Sequence, residues 1–189
     1  MKVLALLTFL LGSSYALASY ELEPGGSLLG FSSVKKAAIA EQHLFKGVSG
    51  SIDSVGRLVI EIDLNSVDTG IVIRDERVRK YLFETDRFKK ATLQAQLPQE
   101  ALLLKKGEDI DLSVISTLDL HGFKVQVPIE VVLFKQQNGA FRALTKRPIW
   151  LSVEDFGLLG GVDVLKSLAR LSSIDLAVPV SFDVLFVAN

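Results

Sequence analysis

Residues 57–64 read RLVIEIDL, and their apolar side chains fall at every second position. Side chains that alternate in this way indicate a β-strand with one face in a core and the other in water. The apolar face of this strand carries Leu58, Ile60, Ile62 and Leu64. The same alternation recurs in VQVPIEVVL at 125–133 and in IDLAVPVSFDVLF at 174–186. The chain is therefore predicted to be mainly β.

Weaker strand patterns fill much of the remaining sequence, and Gly- or Asn-containing turn signals separate several of them. These segments are 27–34, 48–52, 92–97, 111–120, 141–145 and 149–153. Many short strands at regular spacing are typical of an antiparallel sandwich or barrel.

Two short segments show helical spacing instead. Residues 75–83 place Val78 and Leu82 on one helical face, with Asp75 as the expected N-cap. Residues 162–171 carry leucines at helical spacing. Two short helices beside many strands fit a barrel whose open end is partly covered.

The first eighteen residues differ from the rest of the chain and predict a cleaved leader. Lys2 gives a positive start, an apolar run follows, and a small-x-small cleavage site ends at Ala18. The apolar run is interrupted at Gly12, well short of the roughly 20 residues that a membrane span needs. We therefore predict a signal peptide at 1–18 and one domain at 19–189, which is periplasmic or secreted and has no stable membrane span.

The composition excludes several kinds of site. The chain has no cysteine, which excludes disulfides, thiolate nucleophiles, cysteine metal ligands and a lipid-modified cysteine after the leader. Its formal net charge is −1, and loss of Lys2 with the leader makes it −2. A nucleic-acid-binding surface would need clustered basic charge. No nucleic acid partner is therefore expected.

The sequence offers few candidate catalytic or metal-binding residues. His43 and His121 are the two histidines, and neither lies in a metal-binding spacing such as HExxH. The GVSG stretch at 47–50 is one residue short of the nucleophile elbow of serine hydrolases. We therefore predict no catalytic residue, no metal site and no enzymatic activity.

Residues 66–79, SVDTGIVIRDERVR, concentrate charge where a strand ends and a helix is predicted. Asp75 and Arg79 are four residues apart, within reach of each other on a helix, and Glu76 and Lys80 have the same spacing. No histidine, serine nucleophile or cysteine accompanies the two pairs, so they indicate scaffold rather than catalysis. The predicted structural charge cluster consists of Asp68, Arg74, Asp75 and Arg79.

The order and spacing of several motifs, from about Tyr20 to the C-terminus, resemble those of the YceI-like proteins. The motifs are SVDT at 66–69, RD at 74–75, VR at 78–79, Phe83, ATL at 91–93, LDLHG at 118–122, a strand with Pro128, and VEDFG at 153–157. Two departures stand out. Arg77-Val78-Arg79 replaces the family's His-Leu-Arg, and the Leu-rich stretch at 160–173 would cap or narrow a tunnel.

The resemblance implies a lipocalin-like antiparallel β-barrel of about eight strands in a secreted, often periplasmic, bacterial protein. Its members hold a long apolar ligand, such as a polyisoprenoid, an isoprenoid quinone, or a fatty amide or acid, in a tunnel through the barrel. Many are binding or carrier proteins without catalytic activity. The expected partner is then such a lipid, with no other cofactor, and both a monomer and a homodimer stay open.

The apolar strand faces supply the residues expected inside this barrel. A barrel of this size either fills with side chains or holds one small ligand. Apolar stripes are usually core, but the resemblance favours a tunnel. A filled barrel with a structural or interaction role and an enzyme acting on the lipid are the alternatives. The predicted ligand-binding residues are Phe31, Phe45, Leu58, Ile60, Ile62, Leu93, Leu118, Leu120, Trp150, Phe156, Val180 and Phe182.

Overall fold

The computed structural model describes residues 19–189, so the predicted signal peptide lies outside the described residues. This part of the chain folds into one antiparallel sheet of twelve strands. The strands are β1 (Tyr20–Leu22), β2 (Leu28–Lys35), β3 (Ile39–Phe45), β4 (Val48–Ile52), β5 (Arg57–Asp63), β6 (Val67–Asp68), β7 (Lys90–Gln96), β8 (Asp109–Leu120), β9 (Phe123–Lys135), β10 (Phe141–Thr145), β11 (Ile149–Ser152) and β12 (Ala177–Ala188).

Eight of these strands close into a barrel in the order β1-β4-β5-β7-β8-β9-β10-β12, because β12 pairs back onto β1. The strand β12 is long enough to have four neighbours. Its residues 183–188 pair with β10 and β1, whereas residues 177–183 pair with β11 and β2. The sheet then continues from β2 to β3 and β6. The predicted mainly β, antiparallel barrel is confirmed.

The three segments with clear alternation are β5, β9 and most of β12, as predicted. The strand β3 was not predicted, although it pairs with β2 along seven residues. Its inner face carries Phe45, then His43, then Glu41, so it lacks the apolar repeat that identifies a half-buried strand. A strand whose inner face turns polar leaves no period-two hydrophobic signal.

Within residues 19–189, three short α-helices accompany the barrel where two were predicted: α1 (Val72–Arg77), α2 (Gln99–Leu102) and α3 (Leu159–Leu168). The helix α1 continues into one π-helical turn, Val78–Leu82, here called the π turn. Asp75 is not the N-cap of α1, because the helix begins three residues earlier and Ile71 stands at that position. The Asp75 carboxylate instead accepts hydrogen bonds from the backbone N–H and the hydroxyl of Thr69.

The helix α3 begins earlier than predicted and packs on the π turn through Gly161. A Cβ at this position would collide with the Tyr81 carbonyl oxygen and lie 2.8 Å from the Cα of Leu82. Glycine therefore permits a backbone contact that no other residue allows. Val162, the next residue, is buried in the core. This contact packs α3 closely against the π turn.

Candidate functional site

The barrel interior contains a cavity of about 160 Å³ whose exposed wall is entirely apolar. Inward side chains from strands around the sheet form most of this wall. The segments at 82–83 and 153–158 complete it beside α3 and the π turn. An apolar cavity of about 150 Å³ stays dry and binds small apolar molecules. The interior is therefore suited to an apolar ligand.

Ten of the twelve residues predicted to contact a ligand line this cavity. Nine of them come from strands far apart in sequence, which the barrel brings around one space, and Phe156 comes from the 3-10 turn Glu154–Phe156. The ten residues are Phe31, Phe45, Ile60, Ile62, Leu93, Leu118, Leu120, Phe156, Val180 and Phe182. Their contact with a ligand stays a prediction, whereas strand alternation accounts for the inward position of the nine strand residues.

The other two predicted residues, Trp150 and Leu58, do not line the cavity. Trp150 is 66% exposed, because its neighbours Ile149 and Leu151 face inward on β11 and alternation turns Trp150 outward. The prediction that Trp150 faces the interior is therefore wrong. Leu58 does lie on the inner side of β5 and packs against the core, but outside the cavity wall.

Several cavity residues were missed because they lie outside regular strands. Leu82 and Phe83 come from the π turn and the residue after it, and Leu158 directly precedes α3. Helical spacing placed Leu82 on one face of a helix but did not show that this face lines the cavity, and Leu158 lies in a segment without a side-chain repeat. The remaining cavity residues were not among the predicted ligand-binding residues, although all but Ala91, which directly precedes the segment predicted at 92–97, lie on predicted strands. They are Val48, Leu64, Ala91, Val127, Ile129, Val153, Val178 and Val184, together with Leu29, Ile149, Leu151 and Ser152.

The inner face of β2 and β3 changes from apolar to polar along the strands. Residues directly opposite in an antiparallel pair point to the same face. The cavity residues Leu29 and Phe45 are opposite each other, and the next inward pairs are Phe31 with His43 and Ser33 with Glu41. The final inward pair is Lys35 with Ile39. One end of the interior is therefore polar, and we call Ser33, Lys35, Glu41, His43 and Arg74 the polar end.

An ion-pair cluster occupies the outer part of the polar end. The Glu41 carboxylate lies 2.8 Å from the Lys35 ammonium and 2.8 Å from the Arg74 guanidinium. These two cations, Lys35 first, hold the pKa of Glu41 below its ordinary value. The side chains of Lys35, Glu41 and Arg74 are 26%, 26% and 25% exposed. This end of the interior therefore reaches the solvent.

His43 lies between this ion-pair cluster and the apolar cavity. It is only 4% exposed, and its ring centroid is 5.0 Å from that of the cavity residue Phe31. Its Nε2 shares a hydrogen bond of 2.8 Å with the Ser33 hydroxyl. Burial, and then the nearby Arg74 cation, lower the pKa of His43, so the imidazole is neutral near pH 7. Its Nδ1 is buried and has no hydrogen-bond partner among the described residues.

The predicted charge cluster forms, but with other partners than expected. Asp68 pairs with Lys46 at 2.6 Å, and Arg74 reaches Glu41 on β3. Arg79 donates to the Asn65 carbonyl. In the described part of the chain, neither the Asp75–Arg79 nor the Glu76–Lys80 spacing gives an ion pair, so that prediction is wrong. The ion pair of Arg74 with Glu41 therefore links α1 to β3, whereas the predicted pairs would have linked residues within the helical segment.

His121 has a separate structural setting in the turn between β8 and β9. Its Nε2 lies 2.8 Å from the Glu84 carboxylate, and its ring packs on Phe88 with centroids 4.3 Å apart. Across residues 19–189, no group of three or more His, Asp or Glu side chains is placed to hold a metal ion. None of the helices described is long and apolar enough to cross a membrane.

Comparison with known proteins identifies the family. The model of the YceI-like domain matches residues 20–186. The chain belongs to the YceI-like family. This YceI-like chain is similar to a solved polyisoprenoid-binding domain from Saccharophagus degradans that is implicated in plant cell wall breakdown. The two are 35% identical with a TM-score of 0.87, over 90% of this chain and 98% of that one.

A second solved structure shares the YceI-like fold at lower sequence identity. BcnA of Burkholderia cenocepacia is 17% identical, with a TM-score of 0.66 over 87% of this chain and 98% of that one. No curated protein sequence matches the chain. Membership of the YceI-like family therefore rests on the family model and the 35% identical domain, and the second structure supports the fold.

Proposed function

We propose that this YceI-like protein binds one long apolar ligand in its barrel and carries or sequesters it without catalysis. The ligand class is the polyisoprenoids, isoprenoid quinones and fatty amides or acids. The single observation that carries the proposal is the cavity of about 160 Å³ with an entirely apolar wall. Each CH₂ group that leaves water for such a wall gains roughly 0.8 kcal/mol. The part of an apolar chain that lies in this cavity is therefore held without many polar contacts.

The similarity to a solved domain supports the same ligand class. The Saccharophagus degradans domain that is 35% identical to this chain is named as polyisoprenoid-binding. The two chains align over nearly the whole barrel, so the strands that form the cavity wall here have counterparts there. The cavity also counts against the filled barrel, because a barrel packed with its own side chains would leave no such space.

The polar end contains a serine–histidine pair, which bears on the alternative of an enzyme. In hydrolases of this type, a third group accepts a hydrogen bond from the second ring nitrogen and orients the imidazole. Nδ1 of His43 has no such partner among residues 19–189. We therefore propose that Ser33 and His43 do not form a catalytic pair. Incubation with farnesyl acetate checks this, and release of farnesol that disappears in Ser33→Ala would contradict it.

Export to the periplasm or the outside of the cell is part of the proposal and rests on the leader-like sequence at 1–18. Cell fractionation and N-terminal sequencing of the mature protein test it, with Ser19 as the expected first residue. Light scattering of the purified protein distinguishes the monomer from the homodimer.

Extraction of the purified protein with organic solvent, followed by mass spectrometry, tests ligand binding. The expected result is an isoprenoid or another long-chain lipid in the wild-type extract. Ala91 is 3% exposed and lines the cavity, so Ala91→Phe fills part of it and should reduce the recovered lipid at least several-fold. The proposal fails if the wild type is repeatedly empty and takes up no added long-chain ligand.

A further inference from the structure

Two buried nitrogen atoms of the polar end have no hydrogen-bond partner in the described part of the chain: Nδ1 of His43 and Nε of Arg74. Buried polar atoms are nearly always hydrogen-bonded, because an unsatisfied one costs about 1–3 kcal/mol. Two such atoms in one cluster therefore indicate a missing partner. The Arg74 guanidinium lies 2.8 Å from Glu41, which is the next inward residue after His43 along β3, so the two side chains belong to one cluster.

This cluster continues the apolar cavity rather than lying apart from it. His43 is opposite Phe31 on the inner face of β2 and β3, and Phe31 lines the cavity. Ser33 and Glu41 form the next inward pair, beyond which the Arg74 guanidinium meets Glu41. An apolar chain in the cavity would therefore bring its terminal group beside His43 and Arg74.

The two unpartnered atoms limit the chemistry of that terminal group. Nε–H of Arg74 can only donate a hydrogen bond. Nδ1 of neutral His43 can donate or accept, because the Ser33 hydroxyl on Nε2 can take either role. A carbonyl oxygen would accept from both atoms. A hydroxyl group would accept from Arg74 and donate to His43.

The charges around the two atoms already balance. The cations of Lys35 and Arg74 face the Glu41 carboxylate, and the Asp75 carboxylate, bound to Thr69, also acts on His43. No cation of this cluster is left for a second anion. A phosphate or carboxylate on the two buried atoms, Nδ1 of His43 and Nε of Arg74, would therefore place an uncompensated charge out of water, which is costly.

From this geometry we propose that His43 and Arg74 bind the head of the ligand, and that this head is an uncharged carbonyl or hydroxyl oxygen. The inference rests on the proposed function, since it requires an apolar chain in the cavity. Beyond the proposed function, the inference specifies the end of the cavity that holds the head, the atoms that bind the head, and the head chemistry that is rejected.

Three probes with the same isoprenoid chain test the head chemistry on delipidated protein: farnesol, the hydrocarbon farnesene and farnesyl diphosphate. Two new hydrogen bonds should make farnesol bind about tenfold more tightly than farnesene. Without partners, the buried hydroxyl would instead weaken binding relative to the hydrocarbon. Farnesyl diphosphate should bind more weakly than farnesol.

Two substitutions of His43 separate its structural bond from head recognition. Asn places a polar group near the position of Nδ1, whereas Gln reaches the position of Nε2 and keeps the bond to Ser33. His43→Gln removes one of the two hydrogen bonds and should lower the preference for farnesol over farnesene about threefold, with little change in Tm. His43→Asn should keep the preference and lower the Tm. Arg74→Lys keeps a cation beside Glu41 but removes Nε–H, and should also lower the preference.

The outcomes separate failure of this inference from failure of the proposed function. Equal binding of farnesol and farnesene to the wild type would overturn the inference and leave apolar binding intact. Tighter binding of the diphosphate, or an unchanged preference in His43→Gln, would overturn it equally. Binding of none of the three probes would contradict the proposed function itself.

Discussion

The inner faces of two regions of the barrel differ in the polarity of their side chains. On β5, β7 and β8, the cross-strand neighbours Ile60, Leu93 and Leu118 present only apolar side chains. On β2 and β3, the inner face starts equally apolar and ends at His43 and Glu41. In the proposed function, the first region, the apolar wall, contacts the apolar chain of the ligand. The second, with the polar end, can orient a chain and select its head.

Substitution in the apolar wall should have the largest effect on the free energy of unfolding. It should not change the selectivity between farnesol and farnesene. Ile60 is 7% exposed and lines the cavity, so Ile60→Ala should cost about 2–5 kcal/mol of unfolding free energy. Farnesol and farnesene should lose affinity by the same factor, because both touch this wall through the same chain. Denaturant unfolding and titration with both probes measure this.

Val59→Ala, on the opposite face of β5, is the control for Ile60→Ala and should change affinity little. A change in the ratio of farnesol to farnesene affinity in Ile60→Ala would break the division between the two regions.

The packing of α3 on the π turn should be the next most sensitive feature. Gly161→Ala forces a Cβ into the backbone of the π turn and should cost about 1–3 kcal/mol. Gly160→Ala meets nothing within 4 Å and should raise the Tm slightly, because alanine favours helix. Thermal unfolding compares the two variants. A similar Tm for both would show that α3 does not depend on this contact.

Asp75 should affect stability near the polar end without affecting head selectivity. Its carboxylate accepts from the N–H and the hydroxyl of Thr69, so Asp75→Ala should cost about 1–2 kcal/mol, like loss of a helix cap. Asp75→Asn keeps one acceptor oxygen and should cost less. Altered selectivity between farnesol and farnesene with an unchanged Tm would assign Asp75 to ligand binding instead.

The polar end should make stability fall as the pH drops below neutrality, whereas the apolar wall contributes no pH dependence. The pKa of buried His43 is lowered, so the folded state binds this proton less well than the unfolded chain. The stability from neutral His43 is complete above the ordinary histidine value of about 6.5 and is lost as the pH falls below it. Glu41, whose pKa is also lowered, adds a second loss at lower pH.

Unfolding of wild type and His43→Gln across this pH range measures the effect. The slope just below about pH 6.5 should flatten in the variant, and the loss at lower pH should persist. An unchanged slope would mean that His43 does not stay neutral in the folded protein.

The same two regions differ in how much of their structure could be predicted from the sequence. Period-two alternation predicted the strands of the apolar wall and their inward residues, because one side of each strand is uniformly apolar. It failed on β3, where His43 and Glu41 replace apolar side chains. It could not show that Arg74 meets Glu41, because the pair is separated by 33 residues and forms only when α1 packs beside β3.

Local spacing also misled where tertiary contacts decide. Asp75 resembles an N-cap, but α1 begins at Val72 and the carboxylate turns back to Thr69. Trp150 was among the predicted ligand-binding residues, yet the register of β11 with β12 places it opposite Pro179 on the outer face. Register follows from pairing with a distant strand, which the residues around Trp150 do not reveal.

A crystal structure of the delipidated protein with bound farnesol tests the central claim most directly. We expect the isoprenoid chain to lie inside the barrel, against the apolar wall at Ile60 and Leu118. We also expect the hydroxyl oxygen to lie within hydrogen-bonding distance of Nδ1 of His43 and Nε of Arg74. An empty cavity with farnesol on the outer surface would contradict ligand binding in the barrel. A chain bound inside with its hydroxyl away from the polar end would contradict head recognition by His43 and Arg74.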